Sequence, residues 1–272
     1  MNPGIISIIF LLLLFILMKL IATVRTESKK INDKNPYLHP EYIEVLPEEM
    51  RNYPLPPKPY RNVGYYERVW KKILDTMLSF FGLLILSPVF LILCIAVVVD
   101  DPGPVFFTQR RVGKDKTFFQ LHKFRSMKVS TPCDMPTHML ENPDQYITRV
   151  GKFLRKSSLD ELPQIWDIFR GRMSVIGPRP ALWNQADLVS EREKYSANDV
   201  IPGLTGWAQI NGRDELEIAE KAKLDGDYCK NIGFLFDCRC FIGTVISVVH
   251  GDGIVEGGTG VIHKHEEQGN NK

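Results

Sequence analysis

The stretch MLSFFGLLILSPVFLILCIAVVV, from Met77 to Val99, governs how the rest of the chain is placed. It holds 23 residues without a charge, with Ser87-Pro88 at its centre. That length suffices to cross the roughly 30 Å hydrocarbon core of a bilayer. A crossing would put everything after Val99 on the far side from Arg68. The flanks argue otherwise, since Arg68, Lys71 and Lys72 precede the run and Arg110, Arg111 and Lys114 follow it. Positive flanks favour the cytoplasmic side at both ends. An interior proline loses a helix hydrogen bond and kinks the chain. On these residues two readings stand: a helix bent at Ser87-Pro88 that dips into one leaflet and returns, or a kinked helix that crosses.

Working outward, Ile5 to Val24 is a second apolar run, interrupted only by Lys19 and followed by Arg25, Lys29 and Lys30. No Lys or Arg precedes it and no A-x-A site follows, which favours a retained transmembrane anchor over a cleaved signal. The positive-inside rule places residue 25 onward in the cytoplasm. Seven prolines (Pro36, Pro40, Pro47, Pro54, Pro56, Pro57 and Pro59) then mark an extended linker. The expected organisation is an anchor over 1–25, a proline-rich linker over 26–66, a domain over 67–250 that includes the run 77–99, and a tail over 251–272. The whole chain carries a net charge of +2, yet Pro102 to Pro180 holds 14 Lys or Arg against 7 Asp or Glu. Such a patch suits lipid headgroups, phosphate substrates or nucleic acid. The five cysteines, Cys94, Cys133, Cys229, Cys238 and Cys240, lack C-x-x-C spacing and are odd in number, so neither a disulfide framework nor a zinc site is expected. His263 and His265 have no supporting ligand pattern.

Within the domain, two β-prone runs, Val105–Val112 and Thr117–Phe124, surround Gly113-Lys114-Asp115-Lys116 and predict a hairpin. Apolar spacing at Leu159, Leu162, Trp166 and Phe169 predicts helix between Tyr146 and Phe169, and Glu215–Lys230 is a further helix. Phe241–Val249 is apolar enough for the bilayer surface or the core. The fold class is therefore α+β, mainly helical, with short hairpins and surface amphipathic helices.

The densest cluster of chemistry is Ser157-Ser158-Leu159-Asp160-Glu161-Leu162-Pro163-Gln164. Ser158 with Glu161 fits a capping box. Pro163 weakens that reading, because proline prefers the first turn and would clash further in. A helix starting near Pro163 leaves Asp160 and Glu161 just before its N-terminus, ionised, where paired carboxylates and substrate phosphates suit Mg²⁺ and one carboxylate suits a nucleophile. Capping and chemistry both stay open here. Lys123 and Arg125, Arg155 and Arg179 are the candidate anion-binding groups, Arg179 being fixed between Pro178 and Pro180. Pro202-Gly203-Leu204-Thr205-Gly206-Trp207 is glycine-rich but has neither Walker nor dinucleotide spacing.

Taken with Asp101-Pro102-Gly103-Pro104-Val105-Phe106-Phe107, Lys123 to Met127, Met173 to Pro180 and Pro202 to Gln209, these motifs resemble the bacterial sugar transferases, the small monotopic phosphoglycosyl transferases, from about Lys71 to Thr244. The resemblance implies transfer of a sugar phosphate from a UDP-sugar to polyprenyl (undecaprenyl) phosphate with release of UMP, opening exopolysaccharide, capsule or glycoprotein glycan synthesis. It implies Asp160 as the nucleophile, Glu161 as the Mg²⁺ partner, and a re-entrant helix broken at Ser87 and Pro88. Lys123, Arg125, Arg155, Gln164 and Arg179 form the expected substrate-binding set. The implied setting is the bacterial cytoplasmic membrane, with the domain on its cytoplasmic face. The lipid bilayer is then a partner, nucleic acid is not, and self-association stays open. Lys116 stands where glycine is expected, Arg172 where relatives are often acidic, and Asp225 and Tyr228 match only loosely.

Overall fold

The computed structural model describes residues 61–131, 143–212 and 216–250, the last three without their side chains. The expected anchor, nearly all of the proline-rich linker, and the tail lie outside these residues. A π-helical turn, Tyr66–Trp70, runs straight into helix α1, Lys71–Asp100. Helical backbone continues through Ser87-Pro88, so the expected helix-break-helix does not interrupt it. The local chemistry explains this. Proline at 88 deprives the Leu84 carbonyl of its usual donor, and the Ser87 hydroxyl donates to that carbonyl at 2.8 Å instead.

From Met77 to Val99 α1 is apolar all round, and packing divides it into two faces. Leu83, Phe90, Leu93 and Val97 are buried against Phe124 and Leu154. Ile85, Ile92, Ile95 and Val99 point away, Ile85 keeping 71% and Val99 76% of their surface. Length and composition make Tyr66–Asp100 a candidate membrane span, and only 17% of its most apolar window is buried within the protein. Both ends are tied to the same folded body. At the start, Lys71 pairs with Asp237 at 2.6 Å and the Val175 N–H donates to Asp75 at 3.0 Å. At the finish, the Val150 N–H donates to Asp100 at 2.8 Å, and Asp101 pairs with Arg125.

Strands β1, Phe106–Val112, and β2, Phe118–Phe124, form the expected antiparallel hairpin, with Phe106 opposite Phe124. In its turn Asp115 and Lys116 both have positive φ, 53° and 61°. That is the backbone reason glycine is expected at 116. The helix expected between Tyr146 and Phe169 is instead three pieces: α2, Arg149–Lys156, a 3-10 turn, Leu159–Glu161, and α3, Gln164–Phe169. Ser158 divides them, with φ 55° in the left-handed region. Leu159, Leu162 and Trp166 still share one core with Leu83 and Phe124 without a continuous helix, whereas the expected fourth member, Phe169, is exposed.

Two short parallel strands, β3, Ser174–Ile176, and β4, Gly203–Thr205, follow, with helix α4, Ala186–Glu193, between them. Helices α5, Trp207–Ile210, α6, Ile218–Lys230, and α7, Phe234–His250, complete the described fold. α6 corresponds to the helix expected over Glu215–Lys230. α7 buries Asp237 and Cys240 and exposes Phe234, Leu235, Phe241, Ile242, Val245 and Ile246 along a second apolar face. The four described cysteines are free thiols, and burial pushes Cys229 and Cys240 up to about 12.

Candidate active site

Asp160 and Glu161 sit on the 3-10 turn, and the capping-box reading fails here. Ser158 is left-handed and its hydroxyl caps no backbone N–H; the next helix begins immediately after Pro163, within one residue of the first-turn position that proline prefers. The two carboxylates face cations from other elements. Lys123, near the end of β2, lies 2.8 Å from Glu161 Oε1 and 3.6 Å from Asp160 Oδ2. Arg179 donates through Nη2 to Glu161 Oε1 at 2.7 Å and through Nη1 to Oε2 at 3.4 Å. Lys123, Asp160, Glu161 and Arg179, from three separate stretches, thus form one cluster.

Its electrostatics divide the two carboxylates. Burial pushes the Asp160 carboxyl above the usual aspartate range; Lys123 opposes the rise, Glu161 adds to it, and Arg155 and Arg179 oppose it more weakly. Burial would likewise raise Glu161, but Arg179 and Lys123, through charge and hydrogen bonds, hold it well below the usual range. The result is a firmly ionised glutamate beside an aspartate that is partly desolvated and keeps only 8% of its surface.

The other expected residues fall in distinct places. Arg155 donates from Nε to Ser126 Oγ at 2.9 Å and lies within electrostatic reach of Asp160. Gln164 is buried at the start of α3. Arg125 is buried and turned to the end of α1, where it binds both the carboxylate and the carbonyl of Asp101; the structure joins it to the end of α1, not to the carboxylate cluster. Ser87 and Pro88 lie within α1 as described.

The glycine-rich stretch is a structural joint. The Gly177 N–H donates to the Thr205 carbonyl and the Gly203 N–H to the Pro178 carbonyl. A Cβ on Gly203 would come within 2.1 Å of the Gly177 nitrogen, so this approach requires glycine. The joint fixes the strand end from which Arg179 extends.

Several buried pairs had no local signal. Asp167 accepts the His122 backbone N–H at 2.9 Å and lies 2.8 Å from its Nδ1, which welds β2, and hence Lys123, to α3. The Tyr228 hydroxyl donates to Asp237 Oδ1 at 2.8 Å and lies 3.1 Å from the Ile176 carbonyl oxygen. Asp225 binds Arg192. The loose matches at Asp225 and Tyr228 are therefore buried supports.

Comparison with known proteins bears on this arrangement. The sequence pattern of the family described as bacterial sugar transferase matches residues 66–251. The chain is 38% identical to a UDP-glucose:undecaprenyl-phosphate glucose-1-phosphate transferase of Escherichia coli K12 over 211 residues, 73% of this chain and 44% of that protein. A protein of the same name from Xanthomonas campestris is 38% identical over 68% of this chain and 40% of its own length. The chain therefore spans less than half the length of these two relatives. It matches 90% of a shorter relative, the uncharacterized sugar transferase EpsL of Bacillus subtilis, at 38% identity over 68% of this chain.

Proposed function

We propose that this chain, which belongs to the bacterial sugar transferase family, transfers a sugar phosphate from a UDP-sugar to undecaprenyl phosphate through a covalent adduct on Asp160. The single observation that carries this is the buried Asp160 beside a Glu161 already clamped by Lys123 and Arg179. A desolvated carboxylate is a stronger nucleophile than a hydrated one, and fixed cations favour the approach of a diphosphate. In the first step an Asp160 carboxylate oxygen bonds to the β-phosphorus. The bond from that phosphorus to the bridging oxygen breaks, and UMP leaves with the electron pair. In the second step a phosphate oxygen of the lipid attacks the same phosphorus, the acyl-phosphate bond breaks, and the Asp160 carboxylate is regenerated.

Mg²⁺ fits the donor set in one form. Among the described residues no group of three or more His, Cys, Asp or Glu could hold a metal. Adjacent Asp160 and Glu161 supply hard oxygens of the kind that bind Mg²⁺ together with substrate phosphates. Glu161, held ionised by Arg179 and Lys123, would be the ligand of the two, and the ion would neutralise charge on the diphosphate. Lys123 and Arg179 then orient the phosphates.

The membrane supplies the second substrate, whose phosphate stays at the interface. Because both ends of α1 bind one folded body, we read α1 as re-entrant, with its exposed apolar face and that of α7 in contact with lipid. On this reading the domain lies on one side of the bilayer, and the positive flanks Arg68, Lys71, Lys72, Arg110, Arg111 and Lys114 support the cytoplasmic face of the bacterial inner membrane. The product would open exopolysaccharide, capsule or glycoprotein glycan assembly; relatives include exopolysaccharide production proteins from rhizobia.

Asp160→Asn should abolish UMP release from UDP-glucose with the protein still folded by circular dichroism. Normal turnover in that variant would defeat the assignment. Exchange of labelled UMP into UDP-sugar without lipid supports the covalent route, and turnover without exchange would instead make Asp160 a base in a single displacement.

A further inference from the structure

Arg179 extends from an irregular stretch between β3 and α4, where Pro178 and Pro180 remove backbone donors. Two other arginines supply what the backbone lacks. Arg192 Nη2 donates to the Arg179 carbonyl at 3.0 Å, and Arg111 Nη1 donates to the Pro180 carbonyl at 3.0 Å. Each guanidinium is itself held. Arg111 binds Gln109 Oε1 through Nε at 3.1 Å and Nη2 at 2.7 Å. Arg192 binds Asp225 Oδ2 through Nε at 2.8 Å and Nη2 at 2.6 Å.

The Arg192–Asp225 pair is the more informative. Arg192 keeps 4% and Asp225 1% of their surface. Desolvating two charges costs several kcal/mol, and well-packed apolar residues often serve stability as well or better. Cohesion between α4 and α6 therefore does not account for an ion pair at this place. Its direction does, because the same Nη2 that binds Asp225 also reaches the backbone of the residue that grips Glu161. We propose that Arg192, set by Asp225, is a positioning residue that fixes Arg179 for the sugar nucleotide's diphosphate. Neither Arg192 nor Asp225 contacts Asp160 or Glu161; they act through Arg179. The inference rests on the reaction proposed above, and it names the apparatus behind one side of that site.

The guanidinium's planar fork matters, because one arm must serve the carboxylate and the carbonyl together. Arg192→Lys keeps the charge opposite Asp225 and loses the fork. Arg192→Met loses both. The full chain in detergent micelles with undecaprenyl phosphate is assayed for UMP release, with thermal unfolding measured in parallel. Arg192→Met and Asp225→Asn should each raise KM for UDP-glucose about tenfold, while KM for undecaprenyl phosphate shifts less than twofold. Arg192→Lys should recover most of the thermal stability with KM for UDP-glucose still raised. A lysine that restores KM together with stability, or variants whose kcat falls with KM unchanged, would overturn the proposal.

Affinity separates this proposal from the reaction itself. Calorimetric binding of UDP-glucose in an Asp160→Asn background should weaken about tenfold on adding Arg192→Met, whether or not turnover occurs. Unchanged affinity would overturn the positioning role. A wild-type chain that binds UDP-glucose and releases no UMP would contradict only the two-step transfer.

Discussion

Asp160 and Glu161 are neighbours in the chain, yet their surroundings push their acidities in opposite directions. Glu161 takes two cations at short range, and Asp160 takes burial with one cation at a longer distance. The acid limb of the rate profile should therefore report Asp160, because Glu161 is already ionised where Asp160 still titrates. Lys123 holds the Asp160 carboxyl down, so Lys123→Met removes that pull and raises it further. The acid limb of kcat/KM should then move to higher pH; a limb that stays in place or moves to lower pH would contradict this. Glu161 follows the opposite rule for stability. A depressed carboxylate contributes stability above its unfolded pKa, and that contribution is lost as pH falls through the folded value. Acid unfolding of Glu161→Gln should accordingly show a shallower dependence on pH below about 4.3, the unperturbed glutamate value. An unchanged slope would mean that Lys123 and Arg179 do not stabilise the ionised form.

At the scale of elements, the helix through Pro88 depends on a side chain replacing a backbone donor. Ser87→Ala leaves the Leu84 carbonyl unpaired and should cost about 1 kcal/mol, the scale of one lost hydrogen bond. Pro88→Ala returns an N–H to that carbonyl, so the hydroxyl becomes redundant. In a Pro88→Ala background Ser87→Ala should then cost little, measured by thermal unfolding in micelles; the full cost there would contradict the substitution of donors. The same elements show what local sequence can reveal. Gly113 to Lys116 between β-prone runs defined the hairpin, and Pro163 defined the start of α3, because turn and cap preferences act within a few residues. Periodicity misled at Ser158, where one left-handed residue ends a helix and leaves Leu159, Leu162 and Trp166 in the same core. The parallel pairing of β3 and β4 had no such signature, each strand being three residues long and their association being a matter of glycine contact at a distance in the chain.

For the whole molecule, a site assembled from β2, the 3-10 turn and the loop after β3 was legible as a set of charged motifs, and its supports were not. Arg192 and Asp225 lie 33 residues apart and His122 and Asp167 lie 45 apart, so only folding brings each pair together. Arg125 carried the right charge in the right motif and is held by Asp101, a partner whose approach depends on where α1 ends. The two ends of that helix also test the proposed membrane geometry. Arg68→Cys and Pro102→Cys, each in a cysteine-free chain, should both be labelled from the cytoplasmic side of inverted vesicles; labelling of one end alone would make α1 a crossing helix. The covalent adduct is the most direct test of the account. Intact-protein mass spectrometry after incubation with UDP-glucose and Mg²⁺, without lipid, should show the wild-type chain heavier by one hexose phosphate and Asp160→Asn unchanged. Turnover by a wild-type chain that never gains that mass, or an adduct that persists in Asp160→Asn, would contradict it.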